Sequence, residues 1–529
     1  MFQRDPQLCP LPEVTPAQIG RHFAVLHKIG SLGPRLEDGF LRPAWSPQAS
    51  EAHRYIEQQG VKLGLTARRD GVGNLYLRTP GAQAEVIQIG SHLDTVPNGG
   101  NFDGTAGVVT GLEAIRAILD SRAALRCALE LVVWRGEESA CFGAVYCGSR
   151  AAFGLNDPTV LSRRFPDNSD GQTLADAIAS QGYDPSFIAE GRPTLTDDQI
   201  NAIAGHLELH IEQARVLESA KEDIGIVTSI RGPVRFNLEI KTVDPRVVAR
   251  LLLTLNDRAE RAVSDGQDLV LTVGKVNCDL LAENSKLHGC ALTAVAGHAE
   301  LYLETALGQQ RIDQIVGRAA ERFGVVINQN IEGGGLRFIA EGSFDHSGAT
   351  PMGRENRRDA NLAIAHIIEE VGKADDRANF VFNYPDAPDS QKLTIDLRAN
   401  ELGARDGLEA QMMRDIKQIA QVFKVDEVKI ECKARSKPVD SMSPKVRQLL
   451  VDGAVHYGYR HRQMASGAGH DVAVLTDVVK PNGGRIPTGL IFVPCRDGLS
   501  HNPLEYTTDE AMAKGANLLA YAALRMANS

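Results

Sequence analysis

Short apolar runs rich in β-branched residues alternate along the chain with segments of helical spacing. Three such runs are typical of strands: Leu65–Leu77, Glu85–Ile89 and Leu129–Trp134. Three segments carry small or apolar residues near every third or fourth position, which predicts helices: Pro16–Ile29, Ser50–Leu63 and Gly104–Ile118. Strands that alternate with helices predict an α/β fold with a largely parallel sheet.

Polar side chains follow two of these apolar runs, Glu85–Ile89 (the first) and Leu129–Trp134 (the second). His92 and Asp94 follow the first run, two residues apart and therefore on one side of an extended chain. A glycine-rich loop then carries Asp103, and the second run ends in Glu137 and Glu138. Since parallel α/β sheets place their sites at the carboxyl ends of strands, these residues are candidates for a shared site. Imidazole and carboxylate are ligands of zinc and related metals, and the alternative is a set of hydrogen-bonded or solvated acidic turns.

Two later segments add histidines to this picture. Gly205–Gln213 alternates polar and apolar residues, so that four polar side chains share one strand face: His206, Glu208, His210 and Glu212. His501 stands just beyond another apolar run, Leu490–Pro494. A lone strand histidine is usually only hydrogen-bonded, but four polar residues on one face indicate more than that.

The stretch between 232 and 435 has a different pattern. Its strands and helices follow one another as β-α-β-β-α-β, and the order recurs after Gly333–Gly335. This pattern predicts two tandem units, 232–333 and 334–435. The flanking segments 17–231 and 436–529 then close into one discontinuous α/β domain, and residues 1–16 form an N-terminal tail.

Composition narrows the class of protein. A chain of 529 residues is too long for one core. The formal net charge of −10 argues against a nucleic-acid or anionic-membrane partner. No apolar run reaches the length of about 18 residues that a membrane span needs. The eight cysteines form no CxxC pair, which favours reduced thiols and a cytoplasmic location.

Eight motifs in order resemble the M20 family of di-metal amidohydrolases and peptidases, and among its branches the N-carbamoyl-amino-acid hydrolases and allantoate amidohydrolases. They span nearly the whole chain: Ser91-His-Leu-Asp-Thr-Val-Pro97, Phe102-Asp-Gly-Thr-Ala-Gly107, Glu137-Glu138, Leu209-His-Ile-Glu-Gln213, His346-Ser-Gly-Ala-Thr-Pro-Met352 with Arg358-Asp-Ala360, Asp396-Leu-Arg398, Ser466-Gly-Ala-Gly-His-Asp471 and Ser500-His-Asn-Pro-Leu-Glu505. The resemblance implies a zinc-peptidase-like catalytic domain with an inserted α+β lid, and cleavage of a linear amide.

The resemblance also implies roles for individual residues. Five would bind two divalent metal ions, zinc or else manganese or cobalt: His92, Asp103, Glu138, His210 and His501. Asp103 would bridge the two ions, Asp94 would orient His92 as a carboxylate behind the metal, and Glu137 would be the general base. A histidine at position 210 indicates the carbamoylase branch, because the peptidase branches have a carboxylate there.

Three further residues would contact the small-molecule substrate. Gln213 would help to hold it, and Arg398 would bind its carboxylate through a bidentate contact. His346 would stabilise the developing oxyanion, a role that the partner subunit's lid plays in the family. Because this chain carries two predicted lid units, we expect a pseudo-dimer within one chain that supplies His346 in cis and allows a monomer. A homodimer is the alternative.

Other functions stay open at this stage. An M20-type peptidase or an N-acyl-amino-acid amidase is the main enzymatic alternative, and a catalytically silent binding protein is the non-enzymatic one. A nucleotide-binding oxidoreductase is disfavoured, because Gly104–Gly111 lacks the GxGxxG spacing and no P-loop lysine follows. Those glycines instead predict close packing of a helix on a strand.

Overall fold

The computed structural model describes residues 13–165, 171–241, 245–275, 294–295, 298–305, 307–332, 335–342, 345–346, 352, 358–375, 379–382, 391–425 and 427–529. The chain divides into two compact units. One contains the described residues of 13–230 and 439–529, and the other contains those of 231–275 and 294–438. The sequence predicted these divisions at 231/232 and 435/436.

The strands, in chain order, are β1 Thr66–Arg69, β2 Leu75–Arg78, β3 Val86–His92, β4 Ala128–Trp134, β5 Arg164–Phe165, β6 Gln172–Thr173, β7 Ile203–Ile211, β8 Ile224–Ile230, β9 Gly232–Ile240, β10 Leu269–Lys275, β11 Ala294–Val295, β12 His298–Glu304, β13 Val326–Glu332, β14 Gly335–Glu341, β15 Asp345–His346, β16 Asn379–Phe382, β17 Gln391–Ala399, β18 Val428–Arg435, β19 His461–Ser466 and β20 Thr488–Val493.

The described α-helices are α1 Pro16–Leu26, α2 Pro47–Lys62, α3 Thr105–Ser121, α4 Ser139–Phe142, α5 Cys147–Ala152, α6 Leu174–Ser180, α7 Ser186–Ala189, α8 Asp197–Ala202, α9 Val216–Ala220, α10 Pro245–Ser264, α11 Gln309–Phe323, α12 Ala360–Ala374, α13 Leu402–Val422, α14 Pro444–His456, α15 Val472–Asp477 and α16 Asp509–Ala527. Each helix of the described residues is too short or too polar to span a bilayer.

The first unit is built on an eight-stranded mixed sheet in the order β1-β2-β4-β3-β7-β20-β8-β19. Strands β4, β3, β7 and β20 are mutually parallel neighbours, as the α/β pattern predicted. Every residue of β3 and β4 is buried, which explains their continuous apolar runs. Helices α3 and α16 contribute to the core on one face of the sheet, and residues around α5, α8 and α15 cover the other.

Helix α3 packs unusually close to the sheet. A Cβ added to Gly107 would lie 2.1 Å from the carbonyl oxygen of Leu209 on β7, so only glycine permits this approach. The interpretation of the glycines as a helix–strand contact is confirmed. The predicted single strand Leu65–Leu77 is wrong, because the Asp70 carboxylate accepts the backbone N–H groups of Val72 and Asn74 and closes a turn between β1 and β2.

The second unit contains two four-stranded antiparallel sheets, in the orders β10-β17-β9-β18 and β13-β14-β12-β16. In each sheet the third strand along the chain lies between the first and the second, and the fourth lies beside the first. The division into tandem units at 333/334 is wrong. Strand β9 pairs with β17, not with β12 or β13, so one β-α-β-β-α-β unit is inserted between the second and third strands of the other.

A single core joins the two sheets of this unit. Alternate residues of β9 are buried, and the apolar faces of both sheets pack against helices α10 to α13. Helix α10, which lies between β9 and β10, packs against α12 of the inserted β-α-β-β-α-β segment. Ion pairs reinforce the contact between helices, among them Arg250 with Glu369 at 3.2 Å and Arg322 with Asp257 at 2.8 Å.

Candidate metal centre

The candidate ligands lie at the carboxyl ends of four neighbouring strands. His92 is the last residue of β3, Glu137 and Glu138 follow β4, His210 is the penultimate residue of β7, and His501 follows β20. Because β4, β3, β7 and β20 are parallel neighbours, their ends meet at one edge of the sheet. The chain thus brings together, in its first unit, residues separated by more than 400 positions.

Asp103 lies at the centre of the group. Its Oδ1 is 3.4 Å from Nε2 of His92 and 3.0 Å from Nε2 of His210. Its Oδ2 is 3.5 Å from Nε2 of His501, which is also 3.2 Å from Oε1 of Glu138. Two sets of three potential ligands therefore share Asp103: His92, Asp103 and His210, and Asp103, Glu138 and His501.

The histidine rings present the correct atoms. Nδ1 of His92 lies 3.1 Å from the carbonyl oxygen of Asp94, and Nδ1 of His210 lies 2.9 Å from that of Ile211. A carbonyl oxygen only accepts, so each Nδ1 carries a proton and each Nε2 faces Asp103, where a neutral imidazole would offer its lone pair to a metal ion. Within the described residues, Nε2 of His92 is buried without a hydrogen-bond partner. Nitrogen and carboxylate oxygen atoms that converge in this way fit a pair of divalent cations.

The backbone at the site is restricted. Gly104 has a φ of 62°, and a Cβ on it would lie 2.4 Å from Nε2 of His92. Gln213 and His501 also have positive φ values, 60° and 56°, although neither is glycine. Such left-handed residues cost about 1–3 kcal/mol each and persist where the surroundings hold them, often at functional sites.

Several groups hold the Asp103 loop in place. Oε1 of Glu505 accepts the backbone N–H of Phe102 at 2.8 Å and that of Asp103 at 2.9 Å. Nε2 of Gln213 and the hydroxyl of Ser500 donate to Oδ2 of Asp103 at 2.7 and 2.8 Å. Gln213, which was predicted to hold the substrate, thus contacts the shared carboxylate itself, and its Oε1 has no hydrogen-bond partner within the described residues.

Asp94 orients His92 differently from the prediction. Its backbone carbonyl, not its carboxylate, is the closer acceptor of His92 Nδ1, because Oδ1 lies 3.7 Å away. The carboxylate instead accepts the backbone N–H groups of Gly136 and Glu138, each at 3.1 Å. Asp94 therefore joins the end of β3 to the loop that carries Glu137 and Glu138.

Glu137 lies beside the candidate ligands. It is largely buried, and its Oε2 lies 3.8 Å from Nε2 of His92. Burial, assisted by the charges of Glu138 and Asp471 and opposed by His92, raises the pKa of Glu137 well above its usual value. A carboxylate with a raised pKa is a better proton acceptor than an ordinary one, which suits general-base catalysis.

Four carboxylates share this small volume with three imidazoles: Asp94, Asp103, Glu137 and Glu138. Burial opposes a charged imidazole, yet the Glu138 and Asp103 carboxylates raise the pKa of His501 to about 9. Burial likewise disfavours the Asp103 anion, but His210 and His92 lower its pKa well below the usual range. The excess of carboxylates makes the site electrostatically suited to cations.

Sequence reasoning assigned no role to Ser500, Glu505, Asp471 or Arg42. Ser500 and Glu505 lie in the same short motif as His501, and this closeness to a candidate ligand in the sequence could have indicated that they belong to the site. Asp471 is fully buried and accepts the Ser149 hydroxyl at 2.5 Å. Arg42 is fully buried too, but an isolated arginine between apolar residues carries no pattern that would single it out.

The two predicted lid residues belong to the second unit. Arg398 lies on β17 and donates from Nε and Nη2 to Oδ1 and Oδ2 of Asp396, at 3.0 and 2.9 Å. His346 lies on β15, whose backbone pairs with Ala294 of β11, and its side chain is outside the described residues. Both residues fall in the predicted second unit, 334–435, but β17 pairs with β9 and β10, which the prediction assigned to the first unit.

Comparison with known proteins agrees with this geometry. The sequence profile of "Peptidase family M20/M25/M40" matches residues 88–525. The chain is 25% identical to an N-carbamoyl-L-amino acid amidohydrolase of Geobacillus stearothermophilus, over 95% of this chain and 97% of that protein. It is 26% identical to the allantoate amidohydrolase of Escherichia coli K12, over 93% of this chain and 94% of that one. A crystal structure of a hydantoinase/carbamoylase family amidase from Burkholderia multivorans superposes with a TM-score of 0.60 at 22% identity, covering 98% and 99% of the two chains.

Proposed function

The chain belongs to the peptidase family M20/M25/M40, and from this premise we propose that it is a di-metal amidohydrolase acting on a linear N-carbamoyl (ureido) amino acid or an allantoate-like substrate. The observation that carries the proposal is the pair of ligand sets that share Asp103 beside the buried Glu137. The names of the two curated relatives support the substrate class. The histidine at position 210, in place of a carboxylate, points the same way.

Bound divalent ions would polarise the amide carbonyl and lower the pKa of a water molecule at the site. His92, Asp103 and His210 would hold one ion, and Asp103, Glu138 and His501 the other. Glu137 would take a proton from the attacking water. It would then deliver the proton to the nitrogen as the C–N bond breaks, which turns a poor leaving group into a neutral amine.

The two lid residues differ in their suitability as substrate ligands. Both carboxylate oxygens of Asp396 are bound to Arg398, so a substrate carboxylate would have to compete with a buried bidentate pair. We therefore assign Arg398 to the lid's own structure. His346 is retained as the proposed donor to the developing oxyanion, as the family resemblance implies.

Metal content and hydrolysis of a substrate panel test the proposal, with wild type and Glu137→Gln side by side. The panel contains N-carbamoyl amino acids, allantoate, N-acyl amino acids and dipeptides. We expect two ions per chain in both proteins and a loss of about 10²–10⁴-fold in kcat for Glu137→Gln, the range that a general base contributes. Glu130→Gln is the matched control, because Glu130 is a buried glutamate of β4 whose partner is Gln88, outside the ligand sets.

The outcomes separate the alternatives. Preference for dipeptides or N-acyl amino acids would replace the proposed substrate class with that of a peptidase or an N-acyl-amino-acid amidase. Unchanged turnover in Glu137→Gln would remove Glu137 from the mechanism. A wild-type chain that binds no metal and cleaves no amide would favour a binding protein on the same fold.

A further inference from the structure

One buried guanidinium lies beneath the loop of the proposed metal centre. Arg42 is fully buried in the first unit and donates from each of its three nitrogen atoms. Nε donates to the carbonyl oxygen of Leu93 at 2.5 Å, and Nη1 donates to that of Ile29 at 3.1 Å. Nη2 donates to the hydroxyl of Thr105 at 2.9 Å. All three acceptors are neutral, so Arg42 forms no ion pair among the described contacts.

Two of these acceptors flank the metal-binding segment. The Leu93 carbonyl belongs to the peptide bond between Leu93 and Asp94, directly after His92, and the next carbonyl along the chain, that of Asp94, accepts the Nδ1 proton of His92. Thr105 is the first residue of α3 and follows Asp103 by two positions. One rigid, planar group therefore joins the strand end that carries His92 to the helix start that follows Asp103.

The backbone of Arg42 is fixed to the same segment. Its N–H donates to the hydroxyl of Thr95 at 3.0 Å, and its carbonyl accepts the N–H of Thr95 at 3.1 Å. Residues 93, 95 and 105 thus all contact residue 42. Burial lowers the pKa of Arg42 to about 10, and the nearby charges of Asp94 and Glu505 oppose that shift. The side chain is therefore charged at neutral pH.

We propose that Arg42 is a positioning residue for the metal centre, which sets the separation and orientation of His92 and Asp103 by holding the Leu93 carbonyl and the Thr105 hydroxyl. This inference rests on the proposed function, because it concerns the same ligands. It predicts that the ion held by His92, Asp103 and His210 depends on Arg42 more than the ion held by Asp103, Glu138 and His501. Among the described contacts, the guanidinium makes none to Glu138 or His501.

Lysine cannot replace this arginine. A lysine would retain the positive charge but would present one nitrogen where the guanidinium presents three in a fixed plane. Arg405 of the second unit offers a matched comparison. It is also buried, and its Nη1 donates to the backbone carbonyls of Gly232, Pro233 and Ser436, while its Nε and Nη2 donate to the exposed carboxylate of Asp406 at 3.1 Å. Arg405→Lys therefore makes the same chemical change in a buried site without candidate ligands.

The test compares wild type, Arg42→Lys and Arg405→Lys. For each protein, a Zn²⁺ titration against a competing chelator measures the affinity for both ions, and thermal unfolding of the metal-free protein measures stability. We expect Arg42→Lys to bind one of its two ions about 10–100-fold more weakly, the range for residues that orient metal ligands. Arg405→Lys should leave both affinities within about 2-fold. Equal affinities in all three proteins, with a loss of thermal stability alone, would overturn the proposal.

A milder variant covers the case in which Arg42→Lys does not fold. Thr105→Val removes only the hydroxyl that accepts Nη2, and we expect a smaller weakening of the same ion. An unchanged affinity in Thr105→Val would then count against the proposal. The titration needs no substrate, so a wild type that binds two ions but cleaves no amide would refute the proposed function and leave the test of Arg42 readable. A wild type that binds no Zn²⁺ would refute both.

Discussion

Two buried aspartates, Asp396 in the second unit and Asp103 in the first, differ in the groups that surround their carboxylates. Asp396 on β17 is fully buried, and Arg235 and Arg398 donate to it at 2.8 and 2.9 Å. Asp103 is 5% exposed, and its neighbours are imidazoles, the carboxylate of Glu138 and two neutral donors, Gln213 and Ser500. Two arginines, which stay charged at all ordinary pH values, contact Asp396, whereas no arginine or lysine among the described residues contacts Asp103.

The pKa values follow the same division. Arg398 and Arg235 lower the pKa of Asp396 far below its usual range although burial acts in the opposite direction. Asp103 also has a lowered pKa, but the cations with the largest effect on it are histidines. A histidine can lose its charge near neutral pH, whereas an arginine cannot. A buried carboxylate in this protein therefore indicates a cation site only where no arginine neutralises it.

The largest effect is expected when the shared ligand is removed. Asp103→Asn replaces the carboxylate that belongs to both ligand sets, so we expect the bound metal to fall from two ions to none. The loss of several kcal/mol of transition-state stabilisation corresponds to at least about 10³-fold in kcat/KM. Metal analysis and steady-state kinetics measure both quantities. Asp396→Asn makes the same change in the second unit and should retain two ions. If both variants lost metal alike, the comparison between the two carboxylates would fail.

The convergence of the candidate ligands was easier to predict from the sequence than the strand pairing of the second unit. His92, Glu138 and His501 follow apolar runs, and parallel strands bring such ends together without any further information. The contacts of Asp94 and Arg42 could not be foreseen in this way. Most of them are made to backbone groups, and a backbone carbonyl at position 93 or 94 leaves no trace in the identity of the side chain.

The arrangement of the lid is ambiguous in the sequence for a simple reason. Two β-α-β-β-α-β units in tandem and one such unit nested inside another give the same order of strands and helices. Only the pairing of β9 with β17 separates the two possibilities. That pairing joins segments about 150 residues apart, and nothing in the periodicity of either strand specifies its neighbour. The individual elements were predicted, but their partners were not.

A smaller effect, on stability, is expected from Asp396. Asp396→Asn would leave two arginine side chains without their counter-charge, one of them buried. Breaking a buried ion pair by removing one partner costs about 3 kcal/mol or more. We expect the second unit to unfold at a correspondingly lower urea concentration. Hydrogen exchange resolved by segment measures this directly.

The two tryptophans make the experiment specific. Trp45 and Trp134 both lie in the first unit, so their fluorescence reports its unfolding alone. Asp396→Asn should leave the fluorescence midpoint close to that of wild type while exchange accelerates in β9 and β17. An equal shift of both signals would mean that the two units unfold as one.

The smallest effect concerns the acid stability of the second unit. The folded-state pKa of Asp396 is lowered below the unfolded value of about 3.9. The ion pair therefore contributes its full stability above pH 4 and loses it as the pH falls toward the folded-state pKa, because the unfolded chain then binds the extra proton. The difference in stability between wild type and Asp396→Asn should be constant from pH 7 to about pH 5 and should shrink below about pH 4. Urea unfolding at pH 7, 4 and 3, followed by hydrogen exchange in β9 and β17, measures it. A difference that stayed constant down to pH 3 would show that folding does not lower the pKa of Asp396, and that the loss of stability in Asp396→Asn does not come from its charge.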